Sequence, residues 1–142
     1  MSRNRYYKPM LALAAKDAFS HPDWIFEIKW DGFRAIAYVE EPFSLRSRNG
    51  KELKKNFPEL QQLTALAKNV VVDGEIVIMQ HGALDFQALL ERGQAVSEGE
   101  IQRQSQRAPA LYIVFDILEK DGKSLIDLPL MKRKEILKSA LK

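Results

Sequence analysis

One lysine stands out in this sequence because its neighbours could make it a nucleophile. Lys29 lies within the run EIKWDGFR (residues 27–34), directly before an Asp-Gly pair and shortly before Arg34. A lysine amine attacks an electrophile only when it is unprotonated, and apolar surroundings disfavour the charged form. The run therefore predicts a recessed, reactive lysine on an apolar strand.

The residue types that are missing narrow the chemistry further. The chain has no cysteine and only two histidines, which excludes disulfides, thiolate zinc sites, cysteine nucleophiles and histidine-rich metal sites. A divalent cation would be held by carboxylates, water and substrate phosphate, which suit Mg²⁺ or Mn²⁺. The net charge of +3 and the pI of about 9.1 are compatible with a phosphate-rich partner but do not require one.

The length and composition are those of one modest soluble domain. Of the 142 residues, 46% are hydrophobic and 29% are charged. Residues 1–8 are polar and basic, and no long apolar run follows them. We therefore expect no signal peptide, no membrane partner and a cytoplasmic, nucleoid-associated location.

Alternating residues predict a hairpin around the lysine. Residues 24–30 alternate between apolar and charged side chains, which is typical of a strand with one face in the core. That aromatic face consists of Trp24, Phe26, Ile28 and Trp30. Asp31-Gly32 can turn the chain, so residues 33–39 are expected to return as the second strand of the hairpin.

Further strands and helices follow along the chain. Strands are predicted over 43–48, closed by an Asn49-Gly50 turn, and over 70–79 and 111–118. Helices are predicted over 10–19, over 56–68 with Asn56 as its cap, from Asp85 to Gly93, and from Asp127-Pro129 to the end. The helix over 56–68 should bury Phe57, Leu60, Leu63 and Ala67. Residues 94–108 lack periodicity, so we expect a mobile surface loop there.

Several segments of the chain, in their order and spacing, resemble the adenylation domain of ATP-dependent DNA ligases. They are KWDGFR (29–34), SRNG (47–50) with FPEL (57–60), VDGE (72–75), DFQAL (85–89), YIVFDIL (112–118), and LPL (128–130) with Arg133. The likeness is greatest to the ligase domains of bacterial and archaeal end-joining enzymes, and it extends from about Pro9 onward. It implies an α+β fold of mostly antiparallel sheets flanked by helices, similar to the ATP-grasp fold.

The resemblance also implies a reaction and a set of site residues. Lys29 would attack the α-phosphate of ATP, release pyrophosphate and hold AMP, which then passes to a DNA 5′-phosphate before a nick is sealed in repair. Mg²⁺ or Mn²⁺ would assist the transfer. The implied nucleotide-binding residues are Glu27, Ile28, Lys29, Arg34, Arg48, Glu75 and Phe115.

Each of these residues has an implied role. Glu27 would accept from the adenine amino group, and Phe115 would lie flat on the purine. Arg34 and Arg48 would contact the sugar and phosphates, a usual task of the guanidinium fork. Glu75 would reach the ribose hydroxyls or a metal ion.

The family pattern continues beyond these residues. Two later blocks, a Glu-Gly segment with a downstream lysine and a final pair of lysines, have no counterpart here, and neither does the oligonucleotide-binding (OB-fold) barrel. We therefore interpret residues 1–142 as the N-terminal portion of an adenylation domain. No residue after Leu130 is expected to replace those lysines. The expected partners are ATP, nicked double-stranded DNA and a C-terminal ligase portion or OB-fold.

Three alternatives stay open at this point. An RNA ligase or an mRNA capping nucleotidyltransferase would use the same lysine chemistry. A catalytically incomplete accessory module would bind nucleotide or DNA without reacting. An unrelated basic α/β domain would carry the motifs by chance.

Overall fold

The computed structural model describes residues 6–141, which form an antiparallel sheet flanked by helices. The strands are β1 (Phe33–Val39), β2 (Ser44–Ser47), β3 (Val70–Gln80), β4 (Ala83–Leu84), β5 (Ala110–Lys120) and β6 (Lys123–Ser124). Their order is β2-β1-β3-β5-β6, and β4 pairs with β3. The helices are a 3-10 helix (Pro58–Gln62), α1 (Leu63–Leu66), α2 (Phe86–Gln94), α3 (Glu98–Arg107) and α4 (Leu130–Ala140). The predicted α+β class is confirmed.

The central strand β3 organises the core. It pairs with β1 on one edge and β5 on the other, so its first residues are buried on both faces. This explains the run of valines from Val70 to Val72, because a strand covered on both sides is apolar throughout. The strands predicted over 33–39, 43–48, 70–79 and 111–118 are all confirmed, as is the Asn49-Gly50 turn.

The N-terminal part of the described chain differs from the prediction. Residues 10–19 form no helix and residues 24–30 form no strand. Trp24, Phe26 and Ile28 are 60%, 61% and 72% exposed, so the predicted aromatic core face is wrong. The hairpin is wrong as well, because β1 pairs with β2 and β3 instead. A strand needs a partner for its backbone groups, and none of residues 6–141 provides one for this segment.

The segment predicted as one helix over 56–68 is shorter and partly of 3-10 type. Asn56 does not cap it. The Asn56 side-chain amide instead donates to the carbonyls of Arg92 at 3.0 Å and Ala95 at 2.9 Å, at the end of α2. The predicted apolar stripe is confirmed in position, with Phe57, Leu60 and Ala67 buried and Leu63 packed against them.

Most of residues 94–108 form α3 (Glu98–Arg107) rather than a loop. The Ser97 hydroxyl accepts from the N–H of Glu100, and Glu98 and Glu100 occupy the first turn where negative charge is favourable. Only Ile101 is buried. The apolar periodicity that indicates a helix is therefore absent, and the capping pattern is the signal that identifies it.

Two other helices agree with the sequence. The Asp85 side chain accepts from the N–H of Ala88 at 2.9 Å and begins α2, which ends within one residue of Gly93. Helix α4 begins directly after Pro129 and packs on β5. No helix in the described part of the chain is long and apolar enough to cross a bilayer.

A buried ion pair that the sequence did not indicate joins three elements. Arg92 donates to a Glu59 oxygen at 2.7 Å and to the carbonyl of Ala108 at 2.8 Å, and its guanidinium lies over the Phe57 ring. The same Glu59 oxygen accepts from the N–H of Ala110 at 2.8 Å. The pair therefore ties the 3-10 helix to α2 and to the start of β5.

We expect Arg92→Met to destabilise the protein strongly, because it leaves the Glu59 carboxylate buried without its cation. Removing one partner of a buried pair costs about 3–5 kcal/mol of unfolding free energy, which urea denaturation can measure. The matched control is Arg103→Met, since Arg103 is exposed on α3. Equal stability of the two variants would contradict a structural role for the pair.

Candidate functional site

One cavity of about 900 Å³ collects the residues that the sequence singled out. It lies between the irregular segment before β1, the strand β5 and the helix α4. Its walls include Glu27, Ile28, Lys29, Arg34, Arg48, Glu75 and Phe115. Because these residues come from distant parts of the chain, their convergence is a property of the fold and not of sequence proximity.

The cavity is rich in positive charge. Five cationic side chains and two carboxylates line it, and the cations are Lys29, Arg34, Arg48, Lys134 and Lys138. A concave surface of one dominant sign concentrates ligands of the opposite sign. The excess of cations therefore favours an anionic ligand, and the apolar part of the wall offers a surface for a flat ring.

The environment of Lys29 differs from the expectation. The lysine was predicted to be recessed in apolar surroundings, but it is exposed at the cavity wall. The reason is that residues 24–30 are not covered by a neighbouring strand. Within residues 6–141, neither Lys29 nor Arg48 has a hydrogen bond or ion pair, so both cations are available to a ligand.

A two-pronged ion pair fixes Arg34. Its Nε and Nη2 donate to the two carboxylate oxygens of Asp73 at 2.6 and 2.7 Å. Arg34 lies opposite Glu75 in the β1–β3 register, so it reaches its diagonal neighbour to make this contact. The hydrogen bond to Asp73 raises the pKa of the Arg34 guanidinium. The guanidinium also lies over the Phe115 ring, 4.8 Å from its centre.

The Phe115 ring is therefore already in contact with a cation. It is partly buried on β5, and Arg34 covers one of its faces. A flat ligand ring would stack on the other face or displace the guanidinium. The predicted stacking role of Phe115 stays a prediction.

Glu75 combines burial with contacts to the segment that carries Lys29. Its Oε1 accepts from the N–H of Gly32 at 3.1 Å. Burial raises the pKa of the Glu75 carboxyl, although the Gly32 hydrogen bond and the charges of Arg34 and Lys29 act to lower it. A side chain at Gly32 would not fit, because its Cβ would lie 2.1 Å from the carbonyl oxygen of Ile76.

Sequence reasoning missed a second two-pronged pair. Arg133 of α4 donates to both oxygens of Asp116 on β5 at 2.8 and 3.0 Å, and this hydrogen bonding raises the pKa of Arg133. Arg133 also donates to the carbonyl of Leu128. The pair fixes α4 against the sheet. The signal available in the sequence was the position of Arg133 just after the LPL segment.

Helix α4 contributes two lysines that were not expected at the site. Lys134 donates to the carboxylate of Glu27 and to the carbonyl oxygen of Phe115. Lys138, four residues later and so on the same helix face, also lines the cavity. The expectation that no residue after Leu130 replaces the missing family lysines stays a prediction. Lys142 lies outside the described residues.

The described residues contain no cluster of three acidic or histidine side chains that could hold a metal ion. Glu75 is the carboxylate predicted as a metal ligand, and one of its oxygens is taken by Gly32. A metal ion would therefore need ligands beyond this side chain. The role of Glu75 as a metal ligand stays a prediction.

Comparisons with a family model and with individual proteins all indicate the same family. The family model described as "ATP dependent DNA ligase domain" matches residues 9–142. The chain is 33% identical to the SPbeta prophage-derived DNA ligase-like protein LigB of Bacillus subtilis, over 94% of this chain and 47% of that protein. It is 35% identical to DNA ligase C1 of Mycolicibacterium smegmatis, over 94% of this chain and 41% of that protein.

A solved structure has the same fold. The mycobacterial DNA ligase D complexed with ATP and MES superposes with a TM-score of 0.61 at 26% identity, over 80% of this chain and 35% of that one. The resemblance found in the sequence is thus confirmed, and so is the fold. The chain spans less than half the length of the two relatives and about a third of the solved chain.

The raised pKa of Glu75 leads to a testable pH dependence. The folded protein holds the Glu75 proton more tightly than the unfolded chain does, so this carboxyl lowers stability as the pH rises above its ordinary pKa of 4.5. Glu75→Gln keeps the acceptor for Gly32 but cannot ionise. We expect it to melt at a higher temperature than the wild type near neutral pH, and the difference to vanish below about pH 4.

The matched control is Glu40→Gln, since Glu40 is exposed at the end of β1. Differential scanning fluorimetry across this pH range would measure both variants. A Glu75→Gln protein that is less stable than the wild type at neutral pH would show that the ionised carboxylate is favourable in the fold.

Proposed function

This chain belongs to the ATP-dependent DNA ligase domain family, and from that premise we propose that it binds ATP in the cavity and accepts AMP on Lys29. The observation that carries the proposal is the convergence of the motif residues on one cation-rich cavity. Related support comes from the solved DNA ligase D, whose structure is described as an ATP complex. We propose that residues 1–142 form the N-terminal portion of an adenylation domain.

The proposed chemistry is a phosphoryl-type transfer to nitrogen. The unprotonated Nζ of Lys29 forms a bond to the α-phosphorus of ATP, the bond from that phosphorus to the bridging oxygen breaks, and pyrophosphate leaves. The amine loses its proton to solvent or to a neighbouring base. In the complete reaction, AMP passes to a DNA 5′-phosphate and a 3′-hydroxyl then displaces it to seal the nick.

The side chains at the cavity suit a nucleoside triphosphate. Arg48 is exposed and unpaired within the described chain, so it can turn toward phosphate oxygens, and Lys29 and Lys138 add charge at the same wall. Asp73 already holds the Arg34 side chain in place. We therefore expect Arg34 to contact the sugar or a phosphate from a fixed position. We propose that Glu75, at the same cavity, contacts the ribose hydroxyls.

A divalent cation would enter with the triphosphate. We propose Mg²⁺ or Mn²⁺ held by substrate phosphate and water, with Glu75 as a protein ligand. Such an ion would neutralise charge on the phosphates, which would assist the departure of pyrophosphate.

The exposed apolar residues before β1 suggest a protein partner for this segment. Trp24, Phe26 and Ile28 alternate as in a strand but have no partner strand in residues 6–141. We propose that a C-terminal ligase portion covers them and, with an OB-fold, completes the grip on nicked double-stranded DNA. Binding to DNA should weaken as salt rises, because basic side chains would contact its phosphates.

We expect the protein to gain the mass of one AMP when it is incubated with ATP and Mg²⁺. The gain should disappear in Lys29→Ala, because the attacking nitrogen is gone, and intact-mass spectrometry measures it directly. The matched control is Lys16→Ala, since Lys16 is an exposed lysine on the same irregular segment. That variant should keep the adduct.

The other outcomes separate the alternatives. An adduct with GTP alone would favour mRNA capping chemistry, and saturable ATP binding without any adduct would favour an accessory module. An adduct that persists in Lys29→Ala would contradict the assignment of the nucleophile.

We also expect Phe115→Ala to weaken nucleotide binding by about 1–3 kcal/mol, the range measured for bases that stack on aromatic side chains. Isothermal titration calorimetry with AMP would measure the change. Phe86→Ala is the control, because Phe86 is a partly exposed aromatic residue on α2 outside the cavity. Unchanged affinity in a folded Phe115→Ala protein would assign Phe115 to packing alone.

A further inference from the structure

A lysine on α4 links two walls of the cavity. The Lys134 ammonium group donates to one carboxylate oxygen of Glu27 and to the backbone carbonyl of Phe115. The Lys134 side chain is 17% exposed, whereas the Glu27 side chain is 49% exposed. A largely buried cation thus holds a half-exposed carboxylate that lies on an irregular segment.

We propose that Lys134 is a positioning residue, which orients the Glu27 carboxylate to accept a hydrogen bond from the exocyclic amine of adenine. This inference rests on the proposed function, because it assumes that the cavity takes an adenine nucleotide. Because the resemblance already implies the adenine contact of Glu27, the new element is Lys134, a residue of α4 that holds this carboxylate in place.

The hydrogen-bonding capacity of Glu27 supports this role. Lys134 occupies Oε1, and Oε2 has no hydrogen-bond partner among the described residues, so one oxygen is left to accept from a ligand. An ionised carboxylate only accepts hydrogen bonds. It therefore matches an amine on a purine ring and opposes a carbonyl oxygen at the same ring position.

The way α4 is anchored explains why Lys134, and not a neighbouring residue, contacts Glu27. The adjacent Arg133 is fixed by both oxygens of Asp116, which sets the rotation of α4 about its axis. Without a hydrogen bond to a side chain, Glu27 would sample several rotamers on its irregular segment, and fixing it at binding would cost entropy. A contact made before binding removes part of that cost.

Two other lysines of α4 serve as matched controls. Lys138 lines the same cavity, but its side chain makes no hydrogen bond within residues 6–141. Lys132 pairs with Glu135 on the exposed side of the helix and lies outside the cavity. Removing either one deletes the same charge from the same helix and leaves the Glu27 contact in place.

The experiment compares AMP with purine riboside 5′-monophosphate, which lacks the exocyclic amine. Neither has a pyrophosphate leaving group, so calorimetry measures binding without transfer to Lys29. The wild type should prefer AMP by on the order of tenfold, as for one hydrogen bond to a charged group. Glu27→Ala and Lys134→Met should both reduce this preference to about twofold or less, and Lys134→Arg should restore part of it, because arginine also donates to a carboxylate.

The controls define the result that overturns the inference. Lys138→Met should weaken binding of both nucleotides alike, and Lys132→Met should change neither. A folded Lys134→Met protein that keeps the full preference for AMP would overturn the positioning role alone. A wild type that binds neither nucleotide would overturn the proposed function and this inference with it.

Discussion

Two arginine–aspartate pairs on neighbouring strands determine the shape of the site. Asp73 of β3 and Asp116 of β5 are cross-strand partners, and like charges in that relation destabilise a sheet. Each is compensated by a guanidinium that binds both of its oxygens, Arg34 from β1 and Arg133 from α4. The first pair fixes the strand that follows the Lys29 segment, and the second fixes the helix that carries Lys134. Both sides of the cavity are thus held in place by aspartates at the centre of the sheet.

The cavity has a positive charge because some of its cations are not balanced by a carboxylate. Arg34 is balanced by Asp73 and Lys134 by Glu27, so Lys29, Arg48 and Lys138 supply the positive excess available to a ligand. Glu75 opposes this excess but sits where burial raises its pKa. Carboxyl groups with a shifted pKa in a cleft are typical of functional sites. Such sites often reduce the stability of the fold while they improve the binding of a ligand. The buried Arg92–Glu59 pair lies elsewhere and supports the scaffold.

The sequence predicted the sheet better than the segments around it, and the reasons are physical. Valine-rich runs such as 70–72 identify strands, because a strand that is buried on both faces has consecutive apolar residues in its sequence. The alternation over 24–30 cannot reveal whether a partner strand exists, and without one the segment stays irregular. Helix α3 buries only Ile101, so its sequence has no apolar periodicity that would indicate a helix. The identities of the site residues came from ordered motifs, whereas Lys134 depends on how Arg133 docks α4, a contact that no local pattern encodes.

We propose that the two arginine–aspartate pairs frame one adenine-nucleotide site that is open to Lys29. A crystal structure of this protein with bound AMP would show whether the nucleotide lies there. We expect the phosphate beside the Lys29 amine, the purine between Phe115 and the irregular segment, and its amino group at Glu27. A nucleotide bound outside this cavity, or a phosphate distant from Lys29 with both arginine–aspartate pairs intact, would contradict it.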